Sequence, residues 1–211
     1  MSQLIEKLES NSILPVLVIE DANKAQRLAT SLKEGGLQVI EVTLRTKAAL
    51  EAIKLIQEID DVVVGAGTVL SEMQFDLAVE AGAQFIVSPG TSLKVIRRAI
   101  NNKVPIFPGV ATATEIQTVI DEGLQIMKFF PAETSGGAAA IKALSGPFSE
   151  VRFIPTGGIG ISNLSEYLKI PSILAVGGSW MVTSELLQEE RFLEITSNCM
   201  KAVEVSRSIR N

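Results

Sequence analysis

No histidine occurs anywhere in the 211-residue chain. That absence excludes a His-ligated zinc site, a Ser-His-Asp triad, phosphohistidine chemistry and an imidazole general base. Any enzyme built from this sequence works with carboxylate, lysine, arginine, hydroxyl and backbone groups. Cysteine occurs once, as Cys199, so no internal disulfide can form. Cys199 sits in a helix-like tail and reads as a packing residue rather than a reactive thiol. No cluster of acidic residues stands at strand ends to hold a divalent cation. No Gly-x-Gly-x-x-Gly follows the first strand-like run, which speaks against dinucleotide binding. Basic residues form no stripe, and the net charge is −5 with both signs interspersed, so a nucleic-acid partner is not expected. Hydrophobic residues make up 46% of the chain, yet no apolar run approaches the ~18 residues of a membrane span. The N-terminal Met-Ser-Gln-Leu-Ile-Glu-Lys-Leu carries charge and lacks a signal-peptide core. The expectation is therefore a cytoplasmic protein with no membrane partner.

The apolar residues fall in short blocks, the pattern of strands buried on both faces. Strands are predicted at Ile13–Ile19, Val39–Leu44, Val62–Ala66, Phe85–Ser88, Val104–Phe107, Ile126–Phe130, Arg152–Pro155 and Ile173–Val176. Helical pieces separate them. Asp21, Ser71, Thr112 and Asn163 stand where N-caps belong, and Gly35-Gly36, Gly82 and Gly123 where helices should stop. Eight alternating units predict an α/β chain with a parallel sheet, best satisfied by a small (β/α)8 TIM barrel spanning residues 1–211 as one domain. A doubly wound open sheet is the rival. Residues Ser2–Ser10 add an extra N-terminal helix, placed at the barrel floor, and Glu185–Arg210 reads as one long terminal helix.

Lys128 lies inside the apolar run Ile126-Met127-Lys128-Phe129-Phe130-Pro131. Burial favours the neutral form of a lysine amine, and the neutral amine is the nucleophile of Schiff-base chemistry. The plainer alternative is a lysine that snorkels to water or pairs with a carboxylate. Strand parity bears on the choice. If Met127 and Phe129 pack on helices, Lys128 and Phe130 face inward. The same alternation in Glu41-Val42-Thr43-Leu44-Arg45 puts Glu41, Thr43 and Arg45 on one face, either as a polar core layer or as site residues. Gly65-Ala66-Gly67-Thr68 ends the third strand with two glycines and a hydroxyl, suited to ligand approach or to a tight turn. Thr156-Gly157-Gly158 and Gly177-Gly178-Ser179 end the seventh and eighth strands, where barrels bind phosphate through backbone N–H groups. Glu133-Thr134-Ser135-Gly136-Gly137 offers a further helix start for an anion.

Together, Glu41-Val42-Thr43-Leu44-Arg45-Thr46, Gly65-Ala66-Gly67-Thr68-Val69-Leu70, Ser88-Pro89-Gly90, Lys128-Phe129-Phe130-Pro131-Ala132-Glu133, Pro155-Thr156-Gly157-Gly158-Ile159 and Gly177-Gly178-Ser179-Trp180 resemble the motifs of the 2-keto-3-deoxy-6-phosphogluconate (KDPG) aldolase family. Many members of that family also cleave 4-hydroxy-2-oxoglutarate. The resemblance runs in order over roughly residues 10 to 205. It implies a metal-independent class I aldolase without a cofactor, on a (β/α)8 barrel, usually a homotrimer, acting on a phosphorylated small-molecule 2-keto acid. It assigns the Schiff base to Lys128 and proton transfer to Glu41. Arg45 and Thr68 would hold the pyruvate carboxylate, with Pro89 and Phe130 lining the pocket. Thr156, Gly157, Gly158, Gly177, Gly178 and Ser179 would receive the distal phosphate. Three places depart from the common pattern: Leu17-Val18 where many relatives have an arginine, Gly160-Ile161 in place of Ser-Pro, and Thr134-Ser135 in place of Ala-Asn. They leave the aldehyde half of the substrate open between KDPG, its galactonate epimer and 4-hydroxy-2-oxoglutarate. A phosphosugar epimerase or isomerase working without an imine, and a non-catalytic barrel that binds phosphorylated acids, are the competing readings.

Overall fold

The computed structural model describes residues 2–210. Helix α1 (Ser2–Asn11) precedes β1 (Ile13–Leu17), a short 3-10 turn and α2 (Ala25–Glu34). The alternation continues through β2 (Val39–Thr43), α3 (Ala49–Ile56), β3 (Val63–Gly67), α4 (Glu72–Glu80), β4 (Ile86–Val87), α5 (Leu93–Asn101), β5 (Ile106–Phe107) and β6 (Gly109–Val110). It ends with α6 (Ala113–Asp121), β7 (Ile126–Phe129), α7 (Gly137–Ser145), β8 (Arg152–Pro155), α8 (Leu164–Leu168), β9 (Val176–Gly178), α9 (Ser184–Gln188) and α10 (Phe192–Arg210). This is an α/β fold with a curled parallel sheet in two pieces, ordered β5-β4-β3-β2-β1-β9 and β6-β7-β8.

The predicted fifth strand is found in two parts, because Pro108 interrupts it. Proline has no N–H to give to a ladder, but its carbonyl still accepts from Lys128 N–H at 2.9 Å. Pairing therefore passes from β4 before Pro108 to β7 after it. The last strand is displaced toward its C-terminal end, at Val176–Gly178. Upstream, Ile173 pairs singly with Phe153, and Thr156 pairs with Gly177.

Strand parity sorts the apolar side chains as expected. Met127 and Phe129 of β7, with Ile40 and Val42 of β2, join the core between sheet and helices. The inner face carries a second cluster, in which Phe85, Phe107, Leu14 and Ile154 pack with Leu4 and Leu8 of α1. The N-terminal helix thus plugs the end of the sheet where the strands begin. The opposite end, beyond Glu41 and Lys128, is left for a site.

Local signals behave unevenly. Ser71 accepts from Gln74 N–H, and Thr112 forms a full capping box with Glu115. Asp21 accepts from Asn23 N–H, so it starts the 3-10 turn that leads into α2. Helices α2, α4 and α6 stop just before Gly35, Gly82 and Gly123. Asn163 does not cap α8; its side chain bonds the preceding loop instead. The single helix expected over Glu185–Arg210 is two helices. Unbroken, it would carry Glu190 and Arg191 onto the face of Leu187, Ile195 and Cys199, all buried. The chain instead turns at Glu190 (φ 55), and Arg191 N–H closes the turn on Leu186 O at 2.9 Å.

Cys199 packs where α10 meets Gly35. A methyl at Gly35 would overlap Cys199 Cβ, so the glycine sets how closely α10 approaches α2. Burial pushes the Cys199 thiol up to about 12. We expect Cys199 to resist thiol reagents in the native protein at about pH 8 and to react at once in denaturant. Reactivity in the native protein, followed by mass spectrometry, would contradict this packing.

Candidate active site

Glu41 and Lys128 meet on the inner face. Lys128 Nζ donates to Glu41 Oε1 at 3.1 Å, with side-chain exposures of 8% and 1%. The two residues sit on different pieces of the sheet, β2 and β7, and are brought together by its curl. Glu41 Oε2 is buried and has no hydrogen-bond partner among the described residues. Lys128 Nζ also stands 5.3 Å from the centroid of the Phe130 ring, within cation–π range.

The glycines around this pair make room for it. Gly65 and Gly67 of β3 face inward with the same parity. A methyl at Gly65 would overlap the Phe85 ring, and one at Gly67 would overlap Glu41 Oε1. Where the glycine pattern alone fits ligand approach or a tight turn, both spaces are filled by the chain's own side chains. Gly109, the β6 partner of Lys128, does the same for the turn above: a methyl there would overlap the Pro89 carbonyl. Pro89 can therefore reach the space over Lys128, helped by Ser88 Oγ, which donates to Gly90 O at 2.8 Å.

Above the pair opens a cavity of about 440 Å³, large enough for a small-molecule substrate. Arg45, Thr68, Pro89, Lys128 and Phe130 form one part of its wall. Thr156, Gly157, Gly158, Gly178 and Ser179 form another. Arg45 lies beyond the end of β2 and is exposed at the mouth. Thr68 holds a left-handed backbone (φ 58), a conformation that costs a non-glycine residue of order 1 kcal/mol or more and that clusters at functional sites. Gly157 and Gly158 are also left-handed (φ 106 and 78), as a sharp loop at this place requires. Thr156 Oγ1 is buried without a partner among the described residues.

Two predicted site residues are not on the wall. Glu41 is buried against Lys128 and is not among the residues that line the cavity. Gly177 is buried in β9, where the lack of a side chain admits Thr156 Oγ1; it supports Thr156 rather than facing a ligand. Glu133-Thr134-Ser135-Gly136-Gly137 does not line the cavity either, because the Glu133 carboxylate lies against the start of α7. Conversely, Thr43, which strand parity placed with Glu41 and Arg45, lines the cavity, as do Val16 and Ile159, which were not among the expected site residues. Thr43 shares the parity of Glu41, and its hydroxyl donates to Leu17 O at 2.9 Å, so parity carried the signal. Val16 and Ile159 have no chemical feature that marks them.

A family model described as "KDPG and KHG aldolase" matches residues 4–198. The chain belongs to the KDPG and KHG aldolase family. Among its relatives, 2-dehydro-3-deoxy-phosphogluconate aldolase of Treponema pallidum is 44% identical over 206 residues, covering 97% of this chain and 98% of that one. KHG/KDPG aldolase of Escherichia coli is 43% identical over 198 residues, 93% of each chain. The crystal structure of KDPG aldolase from Legionella pneumophila, with pyruvate captured at low pH as a covalent carbinolamine intermediate, superposes with a TM-score of 0.91. That chain is 40% identical, and the match covers 95% of this chain and 98% of that one.

The packing of Gly67 on Glu41 generates a test. In Gly67→Ala, Glu41 must leave its rotamer and lose Lys128. We expect kcat for cleavage of a 4-hydroxy-2-keto acid to fall about 10²-fold, while the melting temperature moves only as modest overpacking dictates. Wild-type turnover in a folded Gly67→Ala variant would show that the contact is dispensable.

Proposed function

We propose that this chain is a class I aldolase, a lyase that cleaves 2-keto-3-deoxy-6-phosphogluconate to pyruvate and glyceraldehyde 3-phosphate, and 4-hydroxy-2-oxoglutarate to pyruvate and glyoxylate. The observation that carries this reading is the buried amine of Lys128, 3.1 Å from Glu41 at the base of a substrate-sized cavity. The carbinolamine in the Legionella relative is the intermediate that such an amine forms with pyruvate. An idle binding protein has no need of a buried lysine–glutamate pair, which is costly to desolvate.

The reaction follows from the groups present. Glu41 takes a proton from Nζ, and the free amine adds to the C2 carbonyl of the keto acid. The carbinolamine loses water to give an iminium, which can accept an electron pair. A base removes the C4 hydroxyl proton, the C3–C4 bond breaks toward the iminium, and the aldehyde departs. The resulting enamine is protonated at C3, and water releases pyruvate and the amine. Glu41 is the base within reach of Nζ, and it acts on substrate beside Lys128, directly or through one water. Arg45 and Thr68 hold the pyruvate carboxylate, and Pro89 and Phe130 confine the keto carbon. Thr156, the Gly157–Gly158 loop, Gly178 and Ser179 receive the distal anion through hydroxyls and backbone N–H groups. Gly177 acts from behind Thr156. No metal or other cofactor enters these steps.

The same reading takes residues 1–211 as one domain with the sheet closed into a (β/α)8 barrel. The pairs Phe153↔Ile173 and Thr156↔Gly177 support closure on one side, and the continuity of β5 and β6 through Pro108 supports it on the other. A cytoplasmic location is in keeping with the absence, among the described residues, of a helix long and apolar enough to cross a membrane. A homotrimer follows from the family resemblance, and exposed Met73 and Leu77 of α4, with exposed Leu70 in the loop before it, suit an assembled form. Sedimentation velocity tests that assembly.

Pyruvate with borohydride should add one reduced adduct per chain at Lys128, and Lys128→Ala should abolish it. An unmodified wild-type protein would remove the imine and leave a phosphosugar epimerase or isomerase as the better reading. Glu41→Gln should lower kcat by about 10²–10⁴-fold with a much smaller change in KM. A Glu41→Gln enzyme with normal kcat would return Glu41 to a packing role. Comparing kcat/KM for KDPG, its galactonate epimer and 4-hydroxy-2-oxoglutarate ranks the aldehyde halves.

A further inference from the structure

Glu133 and Tyr167 have no part in the steps above, yet both bear on the loop that forms the distal wall. Glu133 N–H donates to Gly157 O at 3.1 Å, and Ala132 N–H donates to Thr156 O at 2.8 Å. The backbone of Gly158 rests on the Glu133 side chain, since a methyl at Gly158 would come within 2.6 Å of Glu133 Cγ. The carboxylate then turns away from the loop, and Oε1 accepts a hydrogen bond from the Tyr167 hydroxyl. Tyr167, on α8, is fully buried. Burial, and then the Glu133 carboxylate, push its phenol above the usual range, so it remains a donor. Asn163 braces the same loop from the other side. Its Oδ1 accepts from Gly160 N–H at 2.9 Å, and its Nδ2 donates to Gly158 O at 3.2 Å.

We propose that Tyr167 and Glu133 are positioning residues for the distal anion: the Tyr167 hydroxyl ties the Glu133 carboxylate behind the Gly157–Gly158 loop, out of reach of the phosphate which that loop receives. This rests on the aldolase reading. The physical requirement is plain. The distal wall offers hydroxyls and backbone N–H groups, and the two cations that line the cavity, Arg45 and Lys128, are the ones assigned above to the pyruvate end. A carboxylate in side-chain contact with Gly158, if free to swing forward, repels an anion on the same loop. Held by a buried phenol, it serves instead as a stop against which the loop rests. The pyruvate end of the cavity, built on β2, β3 and β7, does not depend on this arrangement.

The test compares Tyr167→Phe, Glu133→Asp and Glu133→Gln in the full-length enzyme. Tyr167→Phe removes the tether and keeps the charge. Glu133→Asp keeps the charge and shortens its reach to the phenol, at an exposed position that folding tolerates. Glu133→Gln removes the charge and keeps an acceptor for Tyr167. For KDPG, KM should rise about tenfold in Tyr167→Phe and in Glu133→Asp, with kcat within about twofold of wild type. Glu133→Gln should stay near the wild-type KM, and Tyr167→Phe combined with Glu133→Gln should recover most of the loss. Borohydride trapping of pyruvate at Lys128 should be equal in all of them. Unchanged KM in Tyr167→Phe and Glu133→Asp would overturn the proposal, whatever happens to their melting temperatures. Failure of the double variant to recover would overturn its electrostatic basis. Absence of trapping in the wild type would instead overturn the aldolase reading itself.

Discussion

Taking an ammonium and a carboxylate out of water is costly, and the cost is offset only where the two are held at contact and the space around them is shaped for them. The Lys128–Glu41 pair imposes that constraint on the whole inner face. Lys128 reaches Glu41 because β7 and β2 present inward positions across the curled sheet. Glu41 can occupy its rotamer because Gly67 has no side chain. The Pro89 turn can close over the amine because Gly109, next to Lys128 in the sheet, has none either. Below the pair, aromatic and aliphatic side chains and helix α1 fill the other end, so the polar pair forms the boundary between a packed interior and an open cavity. The pair is thus a structural commitment as well as a chemical one, and the glycines that flank it belong to the same commitment.

The parts of this arrangement that were legible in the sequence are those governed by short-range rules. Alternation along Ile126–Phe130 and Glu41–Arg45 placed Lys128 and Glu41 inward, and the structure puts Met127 and Phe129 on the helix side as that alternation requires. Capping at Ser71 and Thr112 was legible for the same reason, since a cap depends on four adjacent residues. What was not legible depends on contacts distant in sequence. Gly65 and Gly67 look like turn or ligand glycines until Phe85 and Glu41 are seen in the spaces they leave. Gly177 has the same sequence character as Gly178, and only the position of Thr156 separates a buried spacer from a wall residue. The break between α9 and α10 follows from which side chains the core can accept at Glu190 and Arg191. The interruption at Pro108 follows from where neighbouring strands need N–H donors.

The two ends of the cavity use different physics. Near Lys128, a buried lysine–glutamate pair lies beside Pro89 and Phe130 at the base of the cavity. At the far end the wall is made of hydroxyls, loop backbone and glycine, with its charged neighbour Glu133 turned away toward Tyr167. On the reading proposed above, such a wall would recognise the shape and hydrogen-bonding capacity of an anion more than its full charge. The departures at Thr134-Ser135 and Gly160-Ile161 adjoin this end, in a loop braced by Asn163. On the same reading, variation there would bear on what is held far from the amine rather than on the amine itself.

Glu41 and Lys128 are 87 positions apart in sequence and belong to separate pieces of the sheet. Neither piece holds both groups, and helices alone bring neither to the other. A refolding chain that has regained its helices while its sheet is still loosely joined would give a native-like far-ultraviolet spectrum with no competent amine. On the Schiff-base role proposed for Lys128, covalent capture of a keto acid would read a later event than circular dichroism does. It would mark the moment at which the two pieces of sheet settle against each other in register, and it would make this lysine an internal chemical clock for tertiary assembly.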